Sequence, residues 1–131
     1  MIYIHGSAFI FFYAEMFQGE TCKMASINNC VVYNVDNRKV HEFRCPDYIM
    51  DCYAGAIWVL EEQKGFYDPA RAALHGTSSG GHMVIGVAME MAKRDECSQI
   101  KLVVPHIAAM SAEWLDYTPE SPGLNWFQKA N

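Results

Sequence analysis

HGTSSGG, residues 75–81, is the most informative stretch of this chain because it centres Ser78 in a G-x-S-x-G pattern. A serine hydroxyl works as a nucleophile only when it projects clear of the backbone, and a sharp strand-to-helix turn provides that projection at the cost of backbone strain. The glycines two positions before and after Ser78 remove side chains that would collide at such a turn. Ser79 does not fit the pattern, because the position two before it is Thr77. The stretch therefore predicts Ser78 as a nucleophile.

The flanking segments supply the strand and the helix that such a turn requires. Before the turn, residues 72–74 form a short apolar run that suits a buried strand. After it, residues 81–94 carry apolar side chains at helical spacing: Met83, Val84, Val87, Ala88 and Met91. Strand, turn and helix therefore occur in the required order. The alternative is a glycine- and serine-rich loop without chemistry, which is common in α/β proteins.

A second motif lies near the amino terminus. Residues 1–4 form an apolar, strand-like run that leads into His5-Gly6-Ser7-Ala8. Small residues at positions 6–8 let the backbone approach a substrate closely. Backbone N–H groups that turn outward there would hold an oxyanion.

The two motifs together resemble those of the α/β-hydrolase fold, in particular the hormone-sensitive-lipase-like carboxylesterases, whose HGGG motif after one strand precedes a G-x-S-x-G elbow. Ser78 lies 73 positions after His5, a separation similar to that of the family. Three intervening segments add to the resemblance. They are Val35 to Glu42, similar to a VDYR-x-APE segment; Pro46 with Asp51-Cys52-Tyr53, similar to an FP…DCY pattern; and Tyr67 to Arg71, similar to a DP-x-R run before the elbow strand.

The resemblance implies a serine carboxylic-ester hydrolase that acts on a small-molecule ester without a cofactor or a metal. Ser78 is then the catalytic nucleophile, and the oxyanion hole is formed by Gly6, Ser7, Ala8 and Ser79, with the N–H groups of residues 7, 8 and 79 as donors. An amide hydrolase of the formamidase-like kind is an alternative on the same scaffold. The other alternative is a non-catalytic remnant of the fold that binds a ligand or a partner.

The chain departs from the family pattern at several supporting positions. Ser7 and Ala8 replace two glycines of HGGG, and a Cβ costs on the order of 1 kcal/mol or more at any site where the backbone needs a positive φ. Asn37 and His41 replace the tyrosine and the proline of the YR-x-APE segment. We therefore expect the support of the oxyanion loop to be loosened.

The triad acid and base are not identifiable. In this fold the triad follows the order Ser, then Asp or Glu, then His, and 53 residues follow Ser78. We therefore expect residues 1–131 to be a single partial α/β-hydrolase domain that lacks the N-terminal strands and the C-terminal Asp/His segment. Each histidine has a structural interpretation that we favour over a catalytic one: His5, His41, His75, His82 and His106. Among them His106, with Glu113 or Asp116 to orient it, is the best candidate base because it follows a strand-like run.

Strand-like and helical segments alternate along the chain. Strands are predicted near residues 1–4, 30–35, 71–75 and 100–104, and helices near residues 18–27, 47–63 and 81–94. This alternation predicts an α/β fold, a parallel sheet of about four strands flanked by helices, which is the central part of an α/β-hydrolase fold. By analogy with that fold, the strand order is second, first, third, fourth. Thr118 to Gly123 predicts a loop, and the following Trp126 and Phe127 fit either a short helix or part of a substrate cap.

Composition agrees with a single cytoplasmic α/β domain. A net charge of −5 and the lack of a long basic run disfavour nucleic acid as a partner. Five cysteines without a C-x-x-C pair argue against a zinc site and indicate free thiols in a reducing compartment. Residues 1–14 lack the basic region of a signal peptide, and no transmembrane segment is predicted. Half a hydrolase sheet would leave strand edges exposed, which makes self-association through them possible.

Overall fold

The computed structural model describes residues 1–40 and 42–108. Its strands are β1 (Ile2–Ile4), β2 (Tyr33–Val35), β3 (Ala72–Thr77) and β4 (Ile100–His106). Its α-helices are α1 (Gln18–Asn28), α2 (Asp47–Glu62) and α3 (Ser79–Lys93), with short 3₁₀ turns at Ala14–Phe17, Pro69–Arg71 and Cys97–Gln99. His41, Glu113, Asp116 and the 118–127 segment, on which the sequence made predictions, lie outside the described residues.

The four strands form one parallel sheet in the order β2-β1-β3-β4. Ile2 lies opposite both Tyr33 and Leu74, and Thr77 at the end of β3 lies opposite His106 at the end of β4. Parallel neighbours need long crossover connections, and the helices between the strands provide them. The predicted sheet, its strand order and its flanking helices are confirmed.

The core lies between one face of this sheet and helices α2 and α3. The face of α3 that meets the sheet is apolar and fully buried, as the helical spacing predicts: Met83, Val84, Val87 and Met91. Cys52, Ala56 and Leu60 of α2 are buried in the same layer. β1 is an inner strand, between β2 and β3, and all three of its residues are buried.

The opposite face of the sheet is partly covered by α1. Tyr3, which alternates with Ile2 and Ile4 along β1, is fully buried there, and its hydroxyl donates a hydrogen bond to Glu20 Oε1 at 3.3 Å. Of the residues of α1, only Thr21 is buried. Packing on this side is therefore thinner than on the side of α2 and α3.

The element boundaries differ from the prediction where local turns intervene. β2 begins at Tyr33 rather than near residue 30, because Asn29 takes a left-handed conformation (φ 46°) and the N–H of Cys30 still bonds to Ala25 of α1. α3 begins at Ser79, two residues before the predicted start at residue 81. β3 consequently runs directly into the turn at Ser78.

Candidate active site

Ser78 occupies a strained turn between β3 and α3. Its backbone has φ 56° and ψ −118°, a conformation that costs a residue with a side chain about 1–3 kcal/mol. The N–H of Ser78 donates to the carbonyl oxygen of His106 on β4 at 2.9 Å, and its own carbonyl accepts from the N–H of His82 at 3.1 Å. Ser78 itself is partly exposed. Sheet and helix thus hold the serine at the edge where parallel strands end.

The glycines around Ser78 are required for space rather than for an unusual φ, since no described glycine has a positive φ. A Cβ at Gly76 would overlap the carbonyl oxygen of Gly80, and a Cβ at Gly80 would overlap the carbonyl oxygen of Ile4 on β1. These close approaches let α3 start immediately beside β1. They explain the glycine spacing from which the turn was predicted.

The segment after β1 lies directly against this turn. A Cβ at Gly6 would lie 2.9 Å from the carbonyl oxygen of Thr77 and 3.3 Å from the Cβ of Ser78. The carbonyl oxygen of Ser7 accepts from the N–H groups of Ile10 and Phe11 at 3.0 and 2.8 Å, so the chain folds into a tight loop there. We call residues 5–9 the oxyanion loop.

Of the two positions that replace family glycines, only one has a left-handed backbone. Ala8 has φ 47°, and the next residue, Phe9, has φ 66°, whereas Ser7 is not among the residues with positive φ. A side chain in this region costs on the order of 1 kcal/mol per residue. Burial of Phe9 against Tyr48 and His82, at ring-centroid distances of 5.4 and 5.5 Å, offsets that cost.

The hydroxyl of Ser79 contacts the oxyanion loop, which the sequence did not predict. The backbone N–H of Ser7 donates to Ser79 Oγ at 2.8 Å, and the Oγ atoms of Ser7 and Ser79 lie 3.3 Å apart. Both residues are buried. As the first residue of α3, Ser79 also has an N–H for which the helix provides no acceptor. The only sequence signal for this contact was a second hydroxyl after the predicted nucleophile.

A partly buried polar network, centred on a carboxylate whose side chain is 38% exposed, supports the oxyanion loop. His5 is fully buried, with Nδ1 3.2 Å from the carbonyl oxygen of Gly6, Nε2 3.2 Å from Asp36 Oδ1, and its ring stacked 4.7 Å from that of Phe17. Lys39 Nζ donates to the same Asp36 oxygen at 2.8 Å. His5 is therefore engaged in holding the loop.

Asp36 is the centre of this network. Burial by itself would raise the pKa of its carboxyl, but hydrogen bonds from Lys39, from the N–H of Asn37 and from His5 outweigh burial and lower that pKa below its usual range. Lys39 is only 5% exposed and also lies 5.4 Å above the ring of Tyr13. Lys39 had no predicted role, because a lysine is ordinarily a surface residue.

The remaining described histidines lie on the strands and the helix around the turn. The rings of His75 and His106 are 6.4 Å apart, and that of His75 also lies 5.3 Å from that of Tyr3. The pKa of His75 is lowered, mainly by burial and to a smaller extent by the nearby His106. His82 lies in the first turn of α3. A catalytic role for His106 stays a prediction.

Comparison with known proteins identifies the class to which this fold and site belong. A sequence model for the family described as the alpha/beta hydrolase fold matches residues 1–127, and the chain therefore belongs to that family. The esterases among its relatives confirm the predicted resemblance to the hormone-sensitive-lipase-like carboxylesterases.

Two curated relatives and one solved structure illustrate the similarity. The arylesterase of Saccharolobus solfataricus is 26% identical over 130 residues, which cover 98% of this chain and 40% of the relative. Arylacetamide deacetylase-like 4 of Homo sapiens is 25% identical over 113 residues, which cover 83% of this chain and 28% of the relative. The structure of the Pyrobaculum calidifontis esterase superposes with a TM-score of 0.73 at 29% identity and covers 78% of this chain and 33% of its own. The chain thus spans well under half the length of these proteins.

Within residues 1–40 and 42–108, no helix combines the length and the apolar character needed to cross a membrane. In the same residues, His, Cys, Asp and Glu side chains form no group of three or more that could hold a metal ion.

Proposed function

We propose that this chain carries the nucleophile and the oxyanion loop of a serine carboxylesterase acting on small-molecule esters. The observation that supports this most is the backbone of Ser78, which holds a strained conformation between β3 and α3 beside the oxyanion loop. A structural serine has no need of that strain, whereas a nucleophile does, because the turn presents its hydroxyl to a substrate.

In the proposed reaction Ser78 Oγ loses its proton to a general base and attacks the ester carbonyl carbon. The carbonyl oxygen becomes an oxyanion, which the N–H groups of Ala8 and Ser79 stabilise, the latter from the amino terminus of α3 where the helix dipole favours negative charge. The bond to the alcohol then breaks, the alcohol leaves with the proton, and water hydrolyses the acyl-enzyme. Ser7 enters this scheme only if its N–H is released from Ser79.

We further propose that residues 1–131 form the central part of a larger α/β-hydrolase domain. The supporting observation is that the chain aligns with 28–40% of the length of its curated relatives. In this scheme the general base and the acid that orients it belong to the remainder of the domain. Catalysis by the 131 residues alone is then slow, since without the base only ~10³- to 10⁴-fold acceleration over water remains.

Covalent labelling tests the role of Ser78 without requiring turnover. The full chain is incubated with excess fluorophosphonate and its intact mass is followed over time, beside Ser78→Ala and Ser98→Ala variants. Ser98 lies in the 3₁₀ turn at Cys97–Gln99, far along the chain from the turn at Ser78, and serves as the matched control. Because the general base is assigned to the remainder of the domain, we expect one adduct to accumulate slowly on the native chain and on Ser98→Ala, and none on Ser78→Ala. Equal labelling of all three would contradict the proposal.

An amide hydrolase is a second candidate, favoured by the name of one relative, an arylacetamide deacetylase-like protein. The same nucleophile and oxyanion donors serve both reactions, because both pass through a tetrahedral oxyanion. Paired aryl ester and aryl amide substrates with the same acyl group separate the two. Preferential Ser78-dependent hydrolysis of the amide would replace the esterase proposal.

The cysteines support a cytoplasmic location. All five are free thiols in the structure, and structures of proteins from reducing compartments commonly have unpaired cysteines. Burial raises the pKa of the Cys52 thiol to about 12, so this group stays protonated and unreactive.

A further inference from the structure

The Ser7 N–H is one of the donors that the family resemblance assigns to the oxyanion hole, but in this structure it already has an acceptor. It donates to Ser79 Oγ at 2.8 Å, and neither residue is more than 3% exposed. A backbone N–H has a single hydrogen, and a hydrogen bond weakens steeply away from linear geometry. While it points at Ser79 Oγ, it is not directed at a substrate oxygen.

From this contact we propose that Ser79 is a positioning residue. Its hydroxyl keeps the Ser7 N–H out of the oxyanion hole and so slows catalysis at Ser78. This inference rests on the proposed esterase function. In this proposal, only the N–H groups of Ala8 and Ser79 stabilise the oxyanion in the native chain. The restraining group belongs to the residue after the nucleophile, so it lies within the catalytic turn itself.

The packing around the contact explains why the loop does not simply move away. Gly6 lies against Thr77 and Ser78, and Gly80 lies against the backbone of Ile4, so the loop and the turn are in direct backbone contact. The peptide bond between Gly6 and Ser7 nevertheless follows a glycine, which has no Cβ and tolerates a wide range of backbone conformations. Rotation of this peptide, which also breaks the 3.2 Å contact between its Gly6 carbonyl oxygen and His5 Nδ1, can therefore redirect the Ser7 N–H when its acceptor is removed.

The two hydroxyls strengthen the arrangement. Ser7 Oγ lies 3.3 Å from Ser79 Oγ, and either atom can donate to the other. Ser7→Ala removes this second contact but keeps the N–H and its acceptor. Ser79→Ala removes both contacts at once. The pair of variants therefore separates the N–H contact from the contact between the side chains.

Amide hydrogen exchange, followed by NMR on the full chain, tests the hydrogen bond directly. We expect slow exchange at residue 7 in the native chain and in Ser7→Ala, and exchange at least about tenfold faster in Ser79→Ala. Ser79→Thr keeps a hydroxyl and is expected to retain slow exchange. The N–H of Ile10, which bonds to the Ser7 carbonyl at 3.0 Å, reports whether the loop as a whole stays folded. Unchanged protection of residue 7 in Ser79→Ala, with Ile10 also unchanged, would overturn the inference.

The chemical consequence is tested with the fluorophosphonate and with a chromogenic ester. Loss of one oxyanion donor typically costs about 10²–10³ in kcat, so release of the Ser7 N–H should raise the Ser78-dependent rate of Ser79→Ala about tenfold or more. The gain should lie in kcat rather than in KM, because an oxyanion donor acts on the transition state. Ser79→Thr should stay slower than Ser79→Ala.

The two proposals fail in different ways. A Ser79→Ala rate equal to or below that of the native chain, with Ser78-dependent labelling intact, contradicts the inference and leaves the esterase proposal standing. Labelling that does not depend on Ser78 in either chain contradicts the esterase proposal and the inference with it.

Discussion

Individual residues at this site are held by steric contacts that leave little choice of side chain. Ser78 carries its side chain in a backbone region that favours glycine, and Gly80 lies where a Cβ would meet the carbonyl oxygen of Ile4. Ser78 is strained because a residue with a side chain occupies a conformation that favours glycine. Position 80 is glycine because a Cβ there would overlap the backbone of β1. Substitutions at Ser78 and Gly80 test the strain and the close approach separately.

Replacement of Ser78 tests the strain. Ser78→Gly relieves it, while Ser78→Ala removes the hydroxyl and keeps the Cβ. After allowance for the greater freedom of glycine in the unfolded chain, we expect Ser78→Gly to be about 1 kcal/mol more stable than Ser78→Ala. Urea unfolding of both variants measures the difference. If the glycine variant is the less stable one, the turn is not strained.

Replacement of Gly80 tests the close approach of α3 to β1. Gly80→Ala forces backbone against backbone and is expected to lower the free energy of unfolding by about 3 kcal/mol or more, at or above the upper end for overpacking. The matched control is Gly19→Ala in α1, where a Cβ meets nothing within 4 Å. That variant should be neutral or up to about 1 kcal/mol more stable. Similar effects of the two substitutions would contradict the structure of the turn.

At the scale of elements, the oxyanion loop is positioned by the segment that follows β2. Asp36 joins His5 and Lys39, and the N–H of Val40 donates to the carbonyl oxygen of Phe9 at 3.0 Å. Since β1 and β2 are paired in parallel, the segments after both strands leave the sheet at the same edge and meet there. The loop is therefore supported by a carboxylate whose hydrogen bonds favour its ionised form.

This dependence predicts an acid-sensitive contribution to stability. The pKa of Asp36 is lower in the folded chain than its usual value of about 4, so its contribution is present above about pH 4 and is lost as the pH falls through the folded pKa. We expect Asp36→Asn to be less stable than the native chain near neutral pH and to lose less stability on acidification. Urea unfolding midpoints of both chains, measured across the acid pH range, give the loss of stability of each chain with falling pH.

Lys39→Met is the control for the cause of this effect. It keeps the approximate length and the apolar part of the side chain while it removes the shortest hydrogen bond to Asp36, that from Lys39 Nζ at 2.8 Å. Its dependence on pH should fall between those of the native chain and Asp36→Asn. Parallel curves for all three chains would show that Asp36 is not the group responsible.

For the whole molecule, the exposed strand at one edge of the sheet predicts association with a second copy of the chain. Among the described residues, β4 pairs only with β3, and its apolar side chains Leu102 and Val104 are 57% and 36% exposed. An exposed apolar edge strand is a template for association with another chain. We propose that the 131-residue chain self-associates through β4.

Sedimentation velocity over a range of concentrations tests this proposal. We expect concentration-dependent association of the native chain and a clear reduction in Leu102→Lys, because a charge on an edge strand opposes pairing. The control is Lys101→Arg, which alters the adjacent residue of the same strand while it keeps the positive charge and every apolar group. A chain that remains monomeric at high concentration would contradict the proposal.

The amino-acid sequence by itself determined the order of elements, the strand order through the family resemblance, and the turn at Ser78. These follow from local periodicity and from glycines whose spacing reports a close approach of backbones. Only the tertiary structure decided that Ser79 Oγ accepts from Ser7, that Lys39 is buried beneath the oxyanion loop, and that His106 lies beside His75. Such contacts join residues far apart in the chain, and they depend on the register of β1, β3 and β4 and on the face to which each side chain turns, neither of which a local pattern specifies.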